Sequence, residues 1–353
     1  MIEKKNSTSD EGKVVLVTGG NGYLASHTII KLLQLNFNVR ATVRTKEKKE
    51  HLFQMLEKER QGSSELIEVF TVDLCYDEGW SKTMEKVDYV LHIASPFPDK
   101  KPTSDEELLN PSVNGTRRIL HFADAAGVKR VVLTSSFAAI AHGNQHRKKW
   151  FTEEMWSDIN DPAMSVYIKS KTLAEKEAWR FIEQESKQLE LTVINPVGLF
   201  GPVLGESLST SVKLIESILN TSLLGFPRLY FGIVDVRDVA DLHILAMLKP
   251  EAKGQRFLAS AGSAMKLKDM AMVLKTNLEQ EGLHIKTKGI PDWMVRISAL
   301  FSASAANLVT SLGVEKHASN QKAREILGWN PRAKEETLVA TAESLLRMKN
   351  SLS

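Results

Sequence analysis

The sequence predicts an α/β fold built on a doubly wound parallel sheet, followed by a smaller, mainly helical unit. From Lys13 onward, short runs of β-branched residues alternate with longer stretches of helical periodicity, as parallel strands and crossover helices do. A glycine-rich turn joins the first strand to the first helix. After Pro196 the alternation weakens, and from Lys266 the pattern is mostly helical.

The predicted elements follow in regular order from the N-terminus. The first strand is Lys13–Thr18, the first helix is Tyr23–Leu35 with its leucines near one face, and the second strand is Asn38–Arg44. Further strands are expected at 66–73, 89–95, 130–136, 191–195, 231–235 and 255–259. Further helices are expected at 106–126, 165–184, 208–219, 266–281, 292–301, 320–327 and 334–348.

The overall composition is that of an ordinary globular protein. Of its 353 residues 25% are charged, and the net charge of +3 is too small to indicate nucleic acid or an anionic membrane as a partner. The single cysteine, Cys75, cannot form an internal disulfide, and we expect it to be a buried thiol in a reducing compartment. Because the N-terminal residues lack an apolar stretch and no run is long enough to span a membrane, we expect a cytoplasmic protein.

The turn after the first strand has the composition of a dinucleotide-binding loop. The segment Thr18-Gly-Gly-Asn-Gly-Tyr-Leu-Ala25 lies between a predicted strand and an amphipathic helix. Gly19 permits the tight turn, and Gly22 allows a pyrophosphate to approach the backbone at the helix N-terminus. Two glycines in such a loop can also serve a purely conformational purpose, but the strand–turn–helix context favours a dinucleotide.

The end of the second predicted strand indicates which dinucleotide is bound. A NAD site places an Asp or Glu there to hold the ribose 2′-hydroxyl, whereas the segment Asn38–Thr45 contains no acid. Arg44 ends the strand, and Lys48 and Lys49 follow it. A guanidinium can hold a 2′-phosphate through two hydrogen bonds, so the pattern favours NADP. The alternative interpretation is a solvated basic turn.

Three side chains form a candidate catalytic group. Tyr167 and Lys171 are four residues apart on a predicted helix and therefore share a face. An ammonium beside a phenol should lower the phenol pKa, which helps a proton relay. Ser136 ends a strand at the carboxyl edge of the sheet, where its hydroxyl can contact a carbonyl oxygen. Taken separately, these residues are also consistent with an exposed helix face and an ordinary strand-end cap.

Together these motifs resemble the extended short-chain dehydrogenases/reductases. The matching segments are Thr18-Gly-x-x-Gly-x-x-Ala25, Asp73-Leu74, Thr134-Ser-Ser136 and Tyr167-x-x-x-Lys171. Within that family, the segments Val39–Arg44, Ser170–Glu175 and Val234–Ala240 are similar to the dihydroflavonol reductase-like branch, which includes microbial aldehyde/ketone reductases. The resemblance runs from about residue 13 to residue 260.

The resemblance implies a role for each candidate residue. Tyr167 would be the general acid, Lys171 would hold the nicotinamide ribose, and Ser136 would orient the substrate carbonyl. Arg44, with Lys48 or Lys49, would hold the 2′-phosphate of NADP(H). The further residues that would contact the coenzyme are Gly19, Gly22, Tyr23, Leu24, Asp73, Leu74, Ala94, Ser95, Pro196, Val197, Leu199 and Ser211.

The chain departs from plant members of this branch at positions expected to contact the substrate. It has Ala141 where flavonoid-reducing relatives place a polar side chain, and Ala163-Met-Ser-Val-Tyr167 where cinnamoyl-CoA reductases carry aromatic residues. Both differences favour an apolar and less specific carbonyl pocket. We therefore expect an NADPH-dependent carbonyl reductase for small or medium aldehydes and ketones, as a monomer or homodimer. The alternatives are an NAD-dependent nucleotide-sugar epimerase/dehydratase and a non-catalytic NADP-sensing protein.

The motifs and the change of pattern along the chain divide it into domains. Residues 1–12 are expected to be a disordered tail, and residues 13–200 a Rossmann-type dinucleotide-binding domain to which 231–260 return. Residues 201–230 and 261–353 are expected to form the substrate-binding domain.

No metal site is expected from the sequence. His142 and His146 are four residues apart, but they lie in a predicted loop beside basic residues. Without Cys or carboxylate ligands nearby, a solvated loop is the better interpretation.

Overall fold

The computed structural model of the chain describes residues 12–59, 61–95, 106–143, 149–162, 164–205, 208–220, 225–278, 284–300 and 308–350. The predicted disordered tail, apart from Gly12, and His146 lie outside the described residues. Among the described helices, none is both long and apolar enough to cross a membrane.

Thirteen strands are present in the described residues, most of them short. In chain order they are β1 (Val14–Val17), β2 (Asn38–Val43), β3 (Ile67–Thr71), β4 (Tyr89–His92), β5 (Arg130–Thr134), β6 (Trp150–Phe151), β7 (Glu190–Pro196), β8 (Gly198–Phe200), β9 (Tyr230–Phe231), β10 (Ile233–Asp235), β11 (Arg256–Ala259), β12 (Met265–Lys266) and β13 (His317–Ala318).

Eleven α-helices lie entirely within the same described ranges. They are α1 (Tyr23–Gln34), α2 (Lys46–Glu59), α3 (Trp80–Met84), α4 (Glu106–Ala125), α5 (Val166–Gln184), α6 (Thr210–Leu219), α7 (Val236–Leu248), α8 (Leu267–Asn277), α9 (Asp292–Ser298), α10 (Gln321–Leu327) and α11 (Lys334–Asn350).

Seven strands form one parallel sheet in the order β11-β7-β5-β4-β1-β2-β3. The sheet grows outward in both directions from β1 and β4, so the switch in strand order lies at their carboxyl ends, where open α/β sheets bind ligands. The predicted doubly wound α/β fold is confirmed. The central strands have the burial expected of a parallel sheet covered by helices on both faces. All of β4 is buried, and so is β1 after its first residue.

Two clusters of buried apolar side chains lie largely on either side of the predicted domain division, and Tyr23 packs against both. One packs β1, β2 and β3 against α1, α2 and α7. The other joins Phe200 and Val203 to side chains from α6, α8, α9 and α11. The structure differs in one segment, since α10 and Trp329 pack in the first cluster although they were predicted to belong to the substrate-binding domain. The Trp329 indole anchors this segment by donating a hydrogen bond to the carbonyl of Asp238 at 2.8 Å. The division into domains itself stays a prediction.

The structure also adds elements that the sequence pattern did not reveal. The basic segment after Arg44 is the helix α2, and a further helix, α7, follows directly on β10. The predicted strand 231–235 is two strands, β9 and β10, separated by Gly232. A Cβ at Gly232 would lie 2.7 Å from the Cβ of Val197, so this position accepts only glycine without movement.

Candidate active site

The glycine turn after β1 is built for close approach of a ligand to the backbone. Gly19 has a φ of +71°, which favours glycine, and its amide donates to the Thr42 hydroxyl at 3.1 Å. A Cβ at Gly19 would lie 3.0 Å from the Cβ of Ala94. Gly22 is the N-cap of α1 and offers no side chain to cap it. The helix N-terminus is therefore available to an anion such as a pyrophosphate.

A cavity of about 550 Å³, here called the first cavity, opens in front of this turn. It lies at the carboxyl ends of β1, β2, β3 and β4. The structure brings most of the predicted coenzyme residues to it, namely Gly19, Gly22, Tyr23, Leu24, Arg44, Lys48, Asp73, Leu74, Ala94, Ser95 and Leu199. The phenol of Tyr23 is engaged with the protein, because it donates to the carbonyl of Gly201 at 2.8 Å.

Of the three basic residues at the end of β2, two line the first cavity. Arg44 follows β2 directly and is exposed, and Lys48 lies in the first turn of α2. Lys49 points elsewhere, because its ammonium donates to the carbonyl of Val69 at 3.2 Å and lies over the ring of Phe53. The structure thus brings Arg44 and Lys48, but not Lys49, to the place where a 2′-phosphate is expected.

Asp73 and Cys75 occupy the wall of the first cavity after β3. The Asp73 carboxylate accepts a hydrogen bond from the backbone amide of Cys75 at 2.8 Å, which fixes the turn. The expectation of a buried thiol is wrong, because Cys75 is exposed at the cavity surface. Partial desolvation and the neighbouring Asp73 carboxylate raise the pKa of this thiol.

A buried threonine joins the glycine turn to the end of β4, a feature that the sequence analysis missed. The Thr18 hydroxyl accepts hydrogen bonds from the amides of Ile93 and Ala94 at 3.1 and 3.0 Å. It also lies 2.9 Å from Nδ1 of His92. Thr18 therefore fixes the position of Ala94, which lines the first cavity.

A second cavity of about 530 Å³ adjoins the first, and Leu199 lines both. Ser136 and Tyr167 lie in its wall. The Ser136 hydroxyl caps the short helical turn 137–139 by accepting from the amide of Ala138 at 3.1 Å. Ser136 is therefore a cap, as the alternative interpretation held, and it is also a partner of Tyr167.

The pKa of the Tyr167 phenol is shifted in the direction opposite to the expected one. Desolvation raises the pKa of Tyr167, and a side-chain hydrogen bond with Ser136 acts in the opposite direction. The sequence had predicted a pKa lowered by Lys171. Burial instead lowers the pKa of Lys171 to about 8, against the attraction of the Glu175 carboxylate. The phenol is therefore held in its protonated form at neutral pH.

Lys171 lies behind the first cavity and not in the second. It lines a narrow cleft of about 20 Å³ together with Ala94, Ser95 and Thr134, all of which also line the first cavity. This position places Lys171 beside the space that a dinucleotide would fill.

A buried carboxylate, Glu175, organises the floor behind these residues. It forms an ion pair with Arg256 and accepts a hydrogen bond from the Ser135 hydroxyl. It also accepts from Nδ2 of Asn195 at 2.7 Å, and the same amide donates to the carbonyl of Ser136 at 3.1 Å. Glu175 thereby connects the ends of β5, β7 and β11 beneath the catalytic candidates.

The remaining predicted coenzyme residues lie in the second cavity. Pro196, Val197 and Ser211 line it, and a Cβ at Gly198 would lie 3.3 Å from the Ser211 hydroxyl oxygen. These residues adjoin Leu199, where the two cavities meet. Their contact with a coenzyme stays a prediction.

The second cavity is less apolar than the sequence suggested. Phe137, Met164 and Phe231 line it, but so do His142, Asp161 and Lys316. Ala141 is buried, and the cavity instead receives the next residue, His142. His142 lies in a loop, as expected, but it is half-buried, and burial, assisted by Lys316, lowers its pKa to about 4. Within the described residues, no cluster of side chains suitable for a metal ion is found.

Three residues of this region escaped the sequence analysis for different reasons. Thr18 lies inside the glycine motif that was identified, so the motif could have indicated its contact with the end of β4. Glu175 follows Lys171 at helical spacing, which places both on one face of α5. Lys316 lies far along the chain in a segment without a motif, and no local signal pointed to it.

Fold and site together define a Rossmann-type protein with a cavity at its glycine turn that adjoins a second cavity lined by Ser136 and Tyr167. The chain belongs to the NAD dependent epimerase/dehydratase family, whose family model matches residues 15–259.

The chain is also similar to individual reductases. It is 32% identical to the NADPH-dependent methylglyoxal reductase of Saccharomyces cerevisiae, over 96% of this chain and 99% of that protein. It is 35% identical to a cinnamoyl-CoA reductase of Medicago truncatula, over 71% and 77% of the two chains. A crystal structure of yeast methylglyoxal/isovaleraldehyde reductase complexed with NADPH superposes with a TM-score of 0.78 at 31% identity, covering 96% and 99% of the two chains.

Proposed function

We propose that this chain is an NADPH-dependent carbonyl reductase acting on small or medium aldehydes and ketones. The observation that carries the proposal is the meeting of the two cavities at Leu199. One cavity contains the glycine turn and Arg44, and the other contains Ser136 and Tyr167. A reduced coenzyme in the first cavity would thus lie next to a carbonyl compound in the second.

The residues of the first cavity fit NADP(H). The uncapped N-terminus of α1 suits the pyrophosphate, and Arg44 stands where an acid would favour NAD. When bound, NADPH supplies the hydride from C4 of its nicotinamide ring. Lys171, which lines the cleft behind Ala94 and Ser95, would hold the nicotinamide ribose.

The protein's part in the reaction is to orient the carbonyl and to supply a proton. The Ser136 hydroxyl donates a hydrogen bond to the carbonyl oxygen and fixes it beside the phenol. Tyr167 then transfers its proton to that oxygen as negative charge develops there. The phenol is protonated at neutral pH and so carries the proton that this role requires, although desolvation, which raises its pKa, makes it a weaker acid.

The similar proteins support this assignment. Both the yeast methylglyoxal reductase and its crystal structure with NADPH align over nearly the whole chain. The proposed roles of Ser136, Tyr167 and Lys171 rest on the geometry described above and on the resemblance of their motifs.

The test is reduction of a panel of aldehydes and ketones by the purified chain, followed as oxidation of NADPH. We expect Tyr167→Phe to lower kcat by about 10²- to 10⁴-fold while leaving NADPH binding unchanged, because only the proton donor is removed. Tyr230→Phe is the matched control, since Tyr230 lines the same cavity and its hydroxyl is engaged with Glu315. Equal activity of Tyr167→Phe and the wild type would refute the assigned role.

The same experiment separates the rival functions. Copurified NAD with no preference for NADPH would favour a nucleotide-sugar epimerase/dehydratase. Tight NADPH binding without turnover of any carbonyl compound would favour an NADP-sensing protein. The cytoplasmic location, the absence of nucleic acid and membrane partners, and the monomeric or homodimeric state stay predictions.

A further inference from the structure

A lysine and a histidine form a polar pair in the wall of the second cavity. The ammonium nitrogen of Lys316 lies 3.2 Å from Nδ1 of His142, and both residues line the cavity that contains Ser136 and Tyr167. Lys316 immediately precedes β13, and its side chain is half-buried. The substrate cavity thus holds a basic group besides the catalytic candidates.

His142 is a neutral hydrogen-bond partner of Lys316 and does not balance its positive charge. Burial and the nearby Lys316 lower the pKa of His142 to about 4, so the imidazole is neutral at pH 7 and its Nδ1 accepts a hydrogen bond from the ammonium. Burial also lowers the pKa of Lys316 to about 8, which leaves most of the lysine charged at neutral pH.

The neighbouring acids are placed where they do not form an ion pair with Lys316. Glu315 pairs with Lys149 at 3.3 Å and with His317 at 3.6 Å, and it is hydrogen-bonded to Tyr230. Asp161 lines the same cavity. In the part of the chain that the structure describes, no carboxylate oxygen lies within 4.0 Å of the Lys316 ammonium.

A half-buried ammonium without a counter-charge is costly, because burial removes water that solvated the charge. An anionic group on a bound ligand would restore the lost interaction through charge-assisted hydrogen bonds. A carboxylate suits this position, since two of the three ammonium hydrogens are not directed to His142.

We propose that the second cavity accepts carbonyl compounds that also carry a carboxylate, and that Lys316 binds this carboxylate while Ser136 and Tyr167 act on the carbonyl. The inference rests on the proposed reductase function and names a substrate class for it. Lys316 is then a specificity-determining residue, and His142 positions its ammonium.

The test compares linear oxo acids with their methyl esters. The spacing between carbonyl and carboxylate is varied from none to three methylene groups, and kcat/KM is measured with NADPH at pH 7. We expect at least one oxo acid to be preferred over its ester. Lys316→Met should lower kcat/KM for that acid about 10- to 100-fold more than kcat/KM for its ester, because only the acid uses the charge.

Two further variants make the result specific to the charge in the cavity. Lys316→Arg should retain much of the preference for the acid. Lys187→Met removes an exposed lysine that does not line the second cavity, and it should leave kcat/KM unchanged for both the acid and the ester. The preference should also weaken as the pH rises through about 8, where Lys316 loses its proton.

The outcomes separate this inference from the proposed function. Reduction of esters but of no oxo acid, or an equal effect of Lys316→Met on acid and ester, would overturn the substrate class while the reductase function stands. Failure of the wild type to reduce any ester, acid or simple aldehyde would overturn the proposed function itself.

Discussion

The two cavities of this protein are of similar volume but are assembled in different ways. The first is lined mainly by turns that follow β1, β2, β3 and β4, and each turn is a continuous piece of sequence. The second is lined by segments spread from Ser136 to Lys316. A cavity made from strand ends of one sheet can be recognised from local motifs, whereas a cavity made from distant segments depends on how they pack together.

Among the single substitutions, the largest effect on stability is expected at Glu175, beneath the residues where the two cavities meet. Glu175→Ala should lower the free energy of unfolding by about 3–5 kcal/mol, because it removes the carboxylate that forms the ion pair with the buried guanidinium of Arg256. Urea unfolding followed by circular dichroism measures this change.

Glu175→Gln is the control for Glu175→Ala, since it keeps the volume and one acceptor oxygen, and its loss should be smaller. A Glu175→Ala protein that is less than about 1 kcal/mol destabilised would show that the network is not required for stability. If the loss instead appears only in kcat/KM, the network would serve the second cavity alone.

Low pH is expected to destabilise the protein through two buried histidines near the first cavity. Burial lowers the pKa of His243 to about 4 and that of His92 to about 3, against an ordinary value of 6.5. The unfolded chain therefore binds more protons than the folded chain below pH 6.5. The free energy of unfolding should fall as the pH is lowered from about 6.5 to 4, by about 1.4 kcal/mol per pH unit for each histidine.

Burial keeps His243 neutral, against the opposing effect of its hydrogen bond to Val239, and its hydrogen bonds define the tautomer. Its Nδ1 lies 2.8 Å from the carbonyl of Val239, which can only accept, so Nε2 accepts from the Thr134 hydroxyl at 2.7 Å. A proton on Nε2 would reverse the direction of this second bond, because the Thr134 hydroxyl can also accept. Burial raises the pKa of Asp238 to about 6, which opposes part of the effect.

Urea unfolding of the wild type and His243→Gln at pH 7, 6 and 5 tests the prediction. The variant should be less stable than the wild type at pH 7, and its free energy of unfolding should fall less between pH 7 and pH 5. A free energy of unfolding that does not fall in the wild type would contradict it.

The smallest of the three effects is expected at Arg44, at the rim of the first cavity. Arg44→Ala should raise the Kd for NADPH about tenfold and leave that for NADH unchanged, because only NADPH carries the 2′-phosphate. Coenzyme fluorescence titration measures both constants.

Lys49→Ala is the matched control for Arg44→Ala, since Lys49 is engaged with Val69 and Phe53. An equal loss of affinity for the two coenzymes in Arg44→Ala would show that the guanidinium does not read the 2′-phosphate.

Much of the fold followed from periodicity, and the misses have identifiable causes. The β1–α1–β2 unit was predicted closely because aliphatic strands and an amphipathic helix each have a distinct period. The helix α2 was missed since its charged first turn looks like a solvated loop, and only Leu52 and Leu56 are buried on it. Cys75 was placed in the interior from the general behaviour of thiols, whereas the turn made by Asp73 brings it to the surface of the first cavity.

The candidate site was also predictable only in part. The positions of Gly19, Arg44, Ser136 and Tyr167 follow from strand ends and helical spacing. The direction of the Tyr167 pKa did not follow, because it depends on partial desolvation of the phenol by the tertiary structure, in a residue that is still 42% exposed.

The sequence by itself determined the parallel α/β fold, the glycine turn at the first helix and the absence of an acid after the second strand. These features depend on a few consecutive residues, whose backbone preferences act locally. Only the tertiary structure decided that Lys316 pairs with His142 in the wall of the second cavity, and that Arg256 reaches Glu175 beneath it. Such pairs join segments far apart in the chain, so they are fixed by the packing of the whole molecule and leave no local pattern in the sequence.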